Sequence, residues 1–115
     1  MDKQLLKGNV PGLILAVLAD GELHGYAIAR EIERRSGAAL SFKEGTLYPA
    51  LHSLEDQGLV TAQWETIERG PSRKTYRLTD AGHDDLERRR GVWAKFAAAV
   101  TEIMAPTATE ANHGK

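Results

Sequence analysis

The chain has 115 residues, 42% of them hydrophobic and 27% charged, and it contains no cysteine. That describes one globular domain and excludes collagen-like, low-complexity and largely disordered chains. The missing thiols exclude disulfides, a CxxC redox pair and a cysteine-ligated zinc site. Net charge is −1, from 15 basic and 16 acidic side chains, so attraction to a polyanion has to be local. It has a place: Arg69, Arg73, Lys74 and Arg77 fall in one short stretch with no acid between them. No apolar run approaches the ~18 residues of a membrane span. Asp20-Gly21-Glu22 follows the first apolar stretch where a signal peptide would carry small residues, so the expected compartment is the cytoplasm.

In chain order, Leu13 to Ala19 is almost wholly apolar and reads as a buried helix. Either Pro11 sits in its first turn with Asn9 as cap, or Leu5 and Leu6 belong to an earlier helical turn that kinks at Pro11. Asp20-Gly21-Glu22 stops it. Gly25 to Arg35 is a second helix, with Ile28 and Ile32 one turn apart and Gly37 just past its end. Ser41-Phe42-Lys43-Glu44 fits a capping box for a third helix. Leu47, Leu51 and Leu54 give that helix one inward face, Gly58 closes it, and Pro49 lies inside it. From Leu59 to Glu68 the period changes to two: Val60, Ala62 and Trp64 alternate with Thr61, Gln63 and Glu65. Gly70-Pro71-Ser72 is a turn, and Lys74 to Leu78 alternates again, which makes a β-hairpin. Thr79 caps a long fourth helix to about Met104, with Leu86, Trp93, Phe96, Val100 and Ile103 at 3/4 spacing, interrupted by Arg89. Residues 105–115 lack bulky apolar side chains and read as a disordered tail.

Three helices followed by a hairpin is the order of a winged helix-turn-helix: mainly α with a small β-hairpin. Two helices can buttress the third, which is narrow enough for the DNA major groove. Opposite its leucines the third helix offers Lys43, Thr46, Tyr48 and His52, while Arg69, Arg73 and Lys74 at the hairpin tip suit phosphates. Arg77, on a strand, is equally suited to an internal ion pair. Winged helices also serve as protein-interaction or multidrug-binding modules with little DNA affinity, which is the alternative reading.

Enzyme readings find no support. The four histidines are scattered, His83-Asp84-Asp85 reads as a solvated first turn, and no GxSxG elbow, P-loop or dinucleotide fingerprint is present. Neither a cofactor nor a metal is expected.

Four segments then carry a resemblance: Leu23-His24-Gly25-Tyr26, Gly45-Thr46-Leu47-Tyr48-Pro49-Ala50-Leu51, Leu54-Glu55-Asp56-Gln57-Gly58-Leu59-Val60 and Tyr76-Arg77-Leu78-Thr79-Asp80-Ala81-Gly82. In this order they resemble the PadR family of transcriptional regulators, over roughly residues 5–104, in its short form with a single C-terminal helix. The resemblance implies a homodimeric winged-helix repressor on a pseudo-palindromic operator. Residues 1–78 would bind DNA, with Tyr26 and Tyr48 among the contacts. Residues 79–104 would form a dimerisation helix packed on the first helix. It also implies a small aromatic or hydrophobic effector at the dimer centre, met by Trp93, Phe96, Arg89 and Leu5. The wing departs from the family pattern in having one glycine, Gly70, and a Thr at position 75 where a larger residue is common. A MarR-like regulator, the other winged-helix class, does not account for Gly45-Thr46-Leu47-Tyr48-Pro49.

Overall fold

The computed structural model describes residues 2–66 and 68–107. Helix α1 runs from Lys3 to Leu18 and begins about two turns before a cap at Asn9 would place it. The cap is Asp2, whose carboxylate accepts the backbone N–H groups of Gln4 and Leu5 at 2.9 and 3.0 Å. Asn9 instead donates its side-chain amide to the Leu5 carbonyl at 2.8 Å. Pro11 therefore lies in mid-helix, where it removes one donor from the ladder.

Helix α2, Gly25–Arg35, has the predicted bounds, and Gly37 follows in the left-handed region at φ 60°. Helix α3 is Glu44–Asp56. The expected capping box is absent: Lys43 is the N-cap, it makes no side-chain cap bond, and Glu44 is the first helical residue rather than the third. Ser41 thus lies too far upstream to reach an orphan N–H. Leu47, Leu51 and Leu54 face inward as expected. Pro49 is tolerated because it and Gly45, whose carbonyl it leaves without an intrahelical donor, are both exposed to water. Past the end of α3, Gly58 adopts φ 75° and the Leu59 N–H returns to the Leu54 carbonyl at 2.9 Å.

Strands β2, Val60–Glu65, and β3, Arg73–Leu78, pair antiparallel, with Val60 opposite Leu78 and Glu65 opposite Arg73. The first strand thus ends three residues before Glu68, and the connection is longer than the Gly70-Pro71-Ser72 turn alone. A third strand escaped the sequence reading: β1, Leu23–His24, pairs with β3 to give the order β1-β3-β2. Two residues cannot display a period. Thr75 is buried in this sheet and its hydroxyl meets His24 Nδ1 at 3.1 Å, which accounts for a small polar residue at that position.

Helix α4, Asp80–Met104, starts at Thr79, whose Oγ1 accepts the Gly82 N–H at 3.0 Å and donates to the Gly58 carbonyl at 2.6 Å. Ala105–Thr107 continue as exposed, non-helical chain; the rest of the expected disordered tail lies outside the described residues. The core joins Val10, Ile14, Leu15 and Leu18 of α1 to Ile28, Leu47, Leu51, Leu54 and Tyr76. It is a winged helix with α4 laid along α1. Among the described residues no helix is long and apolar enough to cross a membrane.

On the surface of α2, Glu31 accepts from Arg34 at 2.7 Å and from Arg35 at 2.8 Å, and Arg35 also reaches Asp20 at 2.7 Å. These guanidinium hydrogen bonds hold the Glu31 carboxyl down at about 2. A lowered folded-state value means stabilisation that is complete above the ordinary carboxylate range and lost as pH falls towards 2. In acid-unfolding curves, Glu31→Gln should therefore flatten the dependence of stability on pH between about 4.5 and 2 while leaving the curve near neutrality almost parallel to wild type. Identical acid limbs would place the titration elsewhere.

Candidate nucleic-acid interface

The outward side of α3 is set by its own period. With Leu47, Leu51 and Leu54 committed to the core, Tyr48, His52 and Glu55 fall at i, i+4 and i+7 on a flank. His52 is exposed, Tyr48 and Thr46 are half-buried, and Lys43 stands exposed at the helix start. Tyr48 is braced by the beginning of α2. A Cβ on Gly25 would lie 2.9 Å from Tyr48 Cε1 and 3.0 Å from its hydroxyl oxygen, so the close approach needs glycine at that position. Tyr26, the next residue, is exposed, with the Arg30 guanidinium 6.0 Å from its ring centre.

The wing supplies the second part. Arg69 and Arg73 are exposed, and among the described residues neither has an ion-pair partner. Lys74 is placed differently from its two neighbours. Its ammonium lies 3.4 Å from the Glu55 carboxylate, 5.6 Å from the Tyr76 ring centre and 5.8 Å from that of Trp64. The register explains why: Trp64 pairs with Lys74 and Ala62 with Tyr76, so all four share the sheet face turned towards α3. Lys74 thus ties the wing to α3 and neutralises a carboxylate on the same flank as Tyr48 and His52. Burial raises the Tyr76 phenol above its ordinary value, which keeps it neutral. Arg77 lies on the outer face of the sheet, exposed and without an ion-pair partner among the described residues.

Sequence reasoning had given no role to Glu55 or Trp64. Trp64 shares the alternation of Val60 and Ala62, which marks it as core, yet it is 66% exposed, because burial fades along the strand from Val60 towards the wing tip. Only the strand's register against β3 places it beside Lys74.

The residues expected to meet an effector are split between two helices. Trp93 and Phe96, with ring centres 6.0 Å apart, are 52% and 57% exposed on α4, and Leu5 is exposed on α1. Arg89 is half-buried where α4 crosses Gly12 of α1 and pairs with Asp85 at 2.6 Å. Its guanidinium, with that of Arg88, lowers the Asp85 carboxyl from its ordinary value. Leu86, the first residue of the 3/4 apolar spacing on α4, differs from those that follow it: it is buried in the core of the single chain. The remaining stripe begins with Val92 and Trp93, where α4 extends past that core.

The comparisons agree with this architecture. The model of the transcriptional regulator PadR-like family matches residues 14–88. A transcriptional regulator of Mycobacterium tuberculosis is 37% identical over 83% of this chain and 85% of its own length. The negative transcriptional regulator PadR of Bacillus subtilis is 36% identical over 64% of this chain, which spans 40% of that longer protein. The crystal structure of a PadR family transcriptional regulator from Eggerthella lenta superposes with a TM-score of 0.79 at 27% identity, covering 90% of this chain and 88% of the other. A PadR-like regulator from Bacillus cereus gives 0.77 at 27% identity, covering 91% and 100%. The chain belongs to the PadR-like family of transcriptional regulators.

Proposed function

We propose that the protein is a homodimeric DNA-binding repressor whose operator is released by a small aromatic or hydrophobic effector. The observation that carries the DNA part is the pairing of an outward α3 flank, Lys43, Thr46, Tyr48 and His52, with the wing arginines Arg69 and Arg73, which have no ion-pair partner among the described residues. A chain of net charge −1 thereby concentrates free cations beside the helix shaped to enter a groove. Residues 1–78 form the DNA-binding unit and residues 79–104 the dimerisation helix, acting in the cytoplasm. Two recognition helices would meet half-sites roughly 34–36 Å apart. The sign of regulation follows the Bacillus subtilis relative, named a negative regulator. Trp93, Phe96, Arg89 and Leu5 would line the effector site only when a second chain closes it. An effector acts there by binding better to a dimer whose α3 helices are mis-spaced for DNA.

The test starts by selecting an operator from a random duplex pool with the wild-type protein, then measures binding to it by fluorescence anisotropy against a scrambled duplex. Expected is sequence-dependent binding at one dimer per site that weakens steeply with salt. Tyr48→Phe should weaken it roughly tenfold, the loss of one hydrogen bond to a charged phosphate, with an unchanged melting temperature. A pool that yields no enriched sequence overturns the DNA reading. Undiminished affinity of Tyr48→Phe removes the Tyr48 hydroxyl from the contact.

A further inference from the structure

We infer that Trp64 is a DNA-backbone contact, its indole packing against a deoxyribose-phosphate unit at the edge of the groove that α3 enters. This rests on the DNA-binding reading and adds a neutral, aromatic contact to it. A single exposed apolar side chain is commonplace on protein surfaces; the setting of this one is what points to a ligand. Trp64 is 66% exposed, yet it occupies the sheet face turned towards α3 rather than the outer face. Lys74 lies over its ring at 5.8 Å and is itself tied to Glu55 of α3 at 3.4 Å. The ring therefore has a cation on one side and solvent on the other.

The charges around the ring select the occupant. On the wing side, Glu65 and Arg73 form the next cross-strand pair and so point to the other sheet face, but they end the two strands, where the exposed Arg73 and, in the connection, Arg69 are free of ion pairs among the described residues. On the α3 side, Lys74 cancels the carboxylate of Glu55 that would otherwise repel a phosphate. A nucleic-acid strand, anionic with an apolar sugar between its phosphates, suits a flat exposed ring that lies under Lys74 and within one residue pair of the exposed wing arginine Arg73. The indole N–H is in addition a donor for a phosphate oxygen.

The experiment uses the full chain and the duplex selected by the wild-type protein. Trp64→Ala should weaken binding on the order of tenfold, and Trp64→Phe less, because the smaller ring keeps part of the packing. The slope of log affinity against log salt should not change in either variant, since no phosphate charge has lost its partner, whereas Arg73→Ala should lower it by about one. The chain has two tryptophans, so the part of the DNA-induced change in tryptophan emission due to Trp64 should vanish in Trp64→Phe. That spectroscopic readout is independent of any effect of Trp64→Ala on folding. Affinity within twofold of wild type together with an emission change retained by Trp64→Phe overturns the inference and leaves the DNA reading standing. Failure of the wild-type protein to select any duplex overturns both.

Discussion

Gly82→Ala should destabilise the protein by about 3 kcal/mol, the upper part of the range for overpacking a filled site. Gly82 is buried in the first turn of α4, directly beneath the Leu59 carbonyl oxygen, and an added Cβ would fall far inside contact distance of that oxygen. The obstacle is backbone, so no side-chain rotation relieves it. That carbonyl also accepts the Thr79 N–H at 3.1 Å, and Thr79 both caps α4 and donates to the Gly58 carbonyl. Moving Leu59 aside thus breaks the junction at which α3, β2 and α4 meet. In denaturant melts the midpoint should fall with little change in slope, and the thermal midpoint should drop by roughly 10 °C. Gly45→Ala is the control. It lies in α3 with open space where a Cβ would stand, so lower backbone entropy in the unfolded chain should stabilise it by roughly 0.5–1 kcal/mol. If Gly82→Ala melts like wild type, α4 docks on Leu59 less closely than described.

If the proposed homodimer forms along α4, Phe96→Asp should give a folded monomer and weaken operator binding by roughly two to four powers of ten. The stripe of Val92, Trp93, Phe96, Ile103 and Met104 lies mostly in water on a single chain. Several large apolar side chains exposed together on one helix of so small a domain support the proposed association surface. Phe96 is outside the core that holds the monomer together, so a carboxylate there leaves the fold intact but cannot be buried against a second chain without a large desolvation cost. Two recognition units joined by the seam benefit from an effective concentration that separate units lose, which is the source of the 10²–10⁴ factor. Sedimentation velocity and anisotropy on the same samples check both halves. A dimer that persists in Phe96→Asp moves the interface off this stripe, and a monomer that keeps full affinity removes dimerisation from operator binding.

How much of this was legible in advance depended on whether the signal lay in neighbouring residues. The bounds of α2 and α4, the leucine face of α3 and the Thr79 cap come from periods of three to four residues and local capping chemistry, both written within one turn of chain. The four family segments likewise sit each in a continuous stretch, so family and winged-helix class followed from sequence. The start of α1 was left open between Asn9 with Pro11 and an earlier turn at Leu5 and Leu6; the helix includes the earlier turn, and the cap that starts it, Asp2, was not read from the sequence. Ser41 failed as a cap because helical geometry begins two residues later than the box requires, with Lys43 at the N-cap.

The remaining features depend on residues far apart in the chain. Strand β1 exists because β3, some fifty residues later, offers Tyr76 and Thr75 as partners to Leu23 and His24. Leu86 and Trp93 read alike on one helical stripe, yet the first is packed into the core of the single chain and the second is half exposed. Lys74 looked like a third wing cation until cross-strand register set it between two aromatic rings and Glu55. Periodicity states which side of an element is apolar. Which neighbour covers that side, and how far along it, is set by docking, because burial and charge pairing are properties of space rather than of sequence distance.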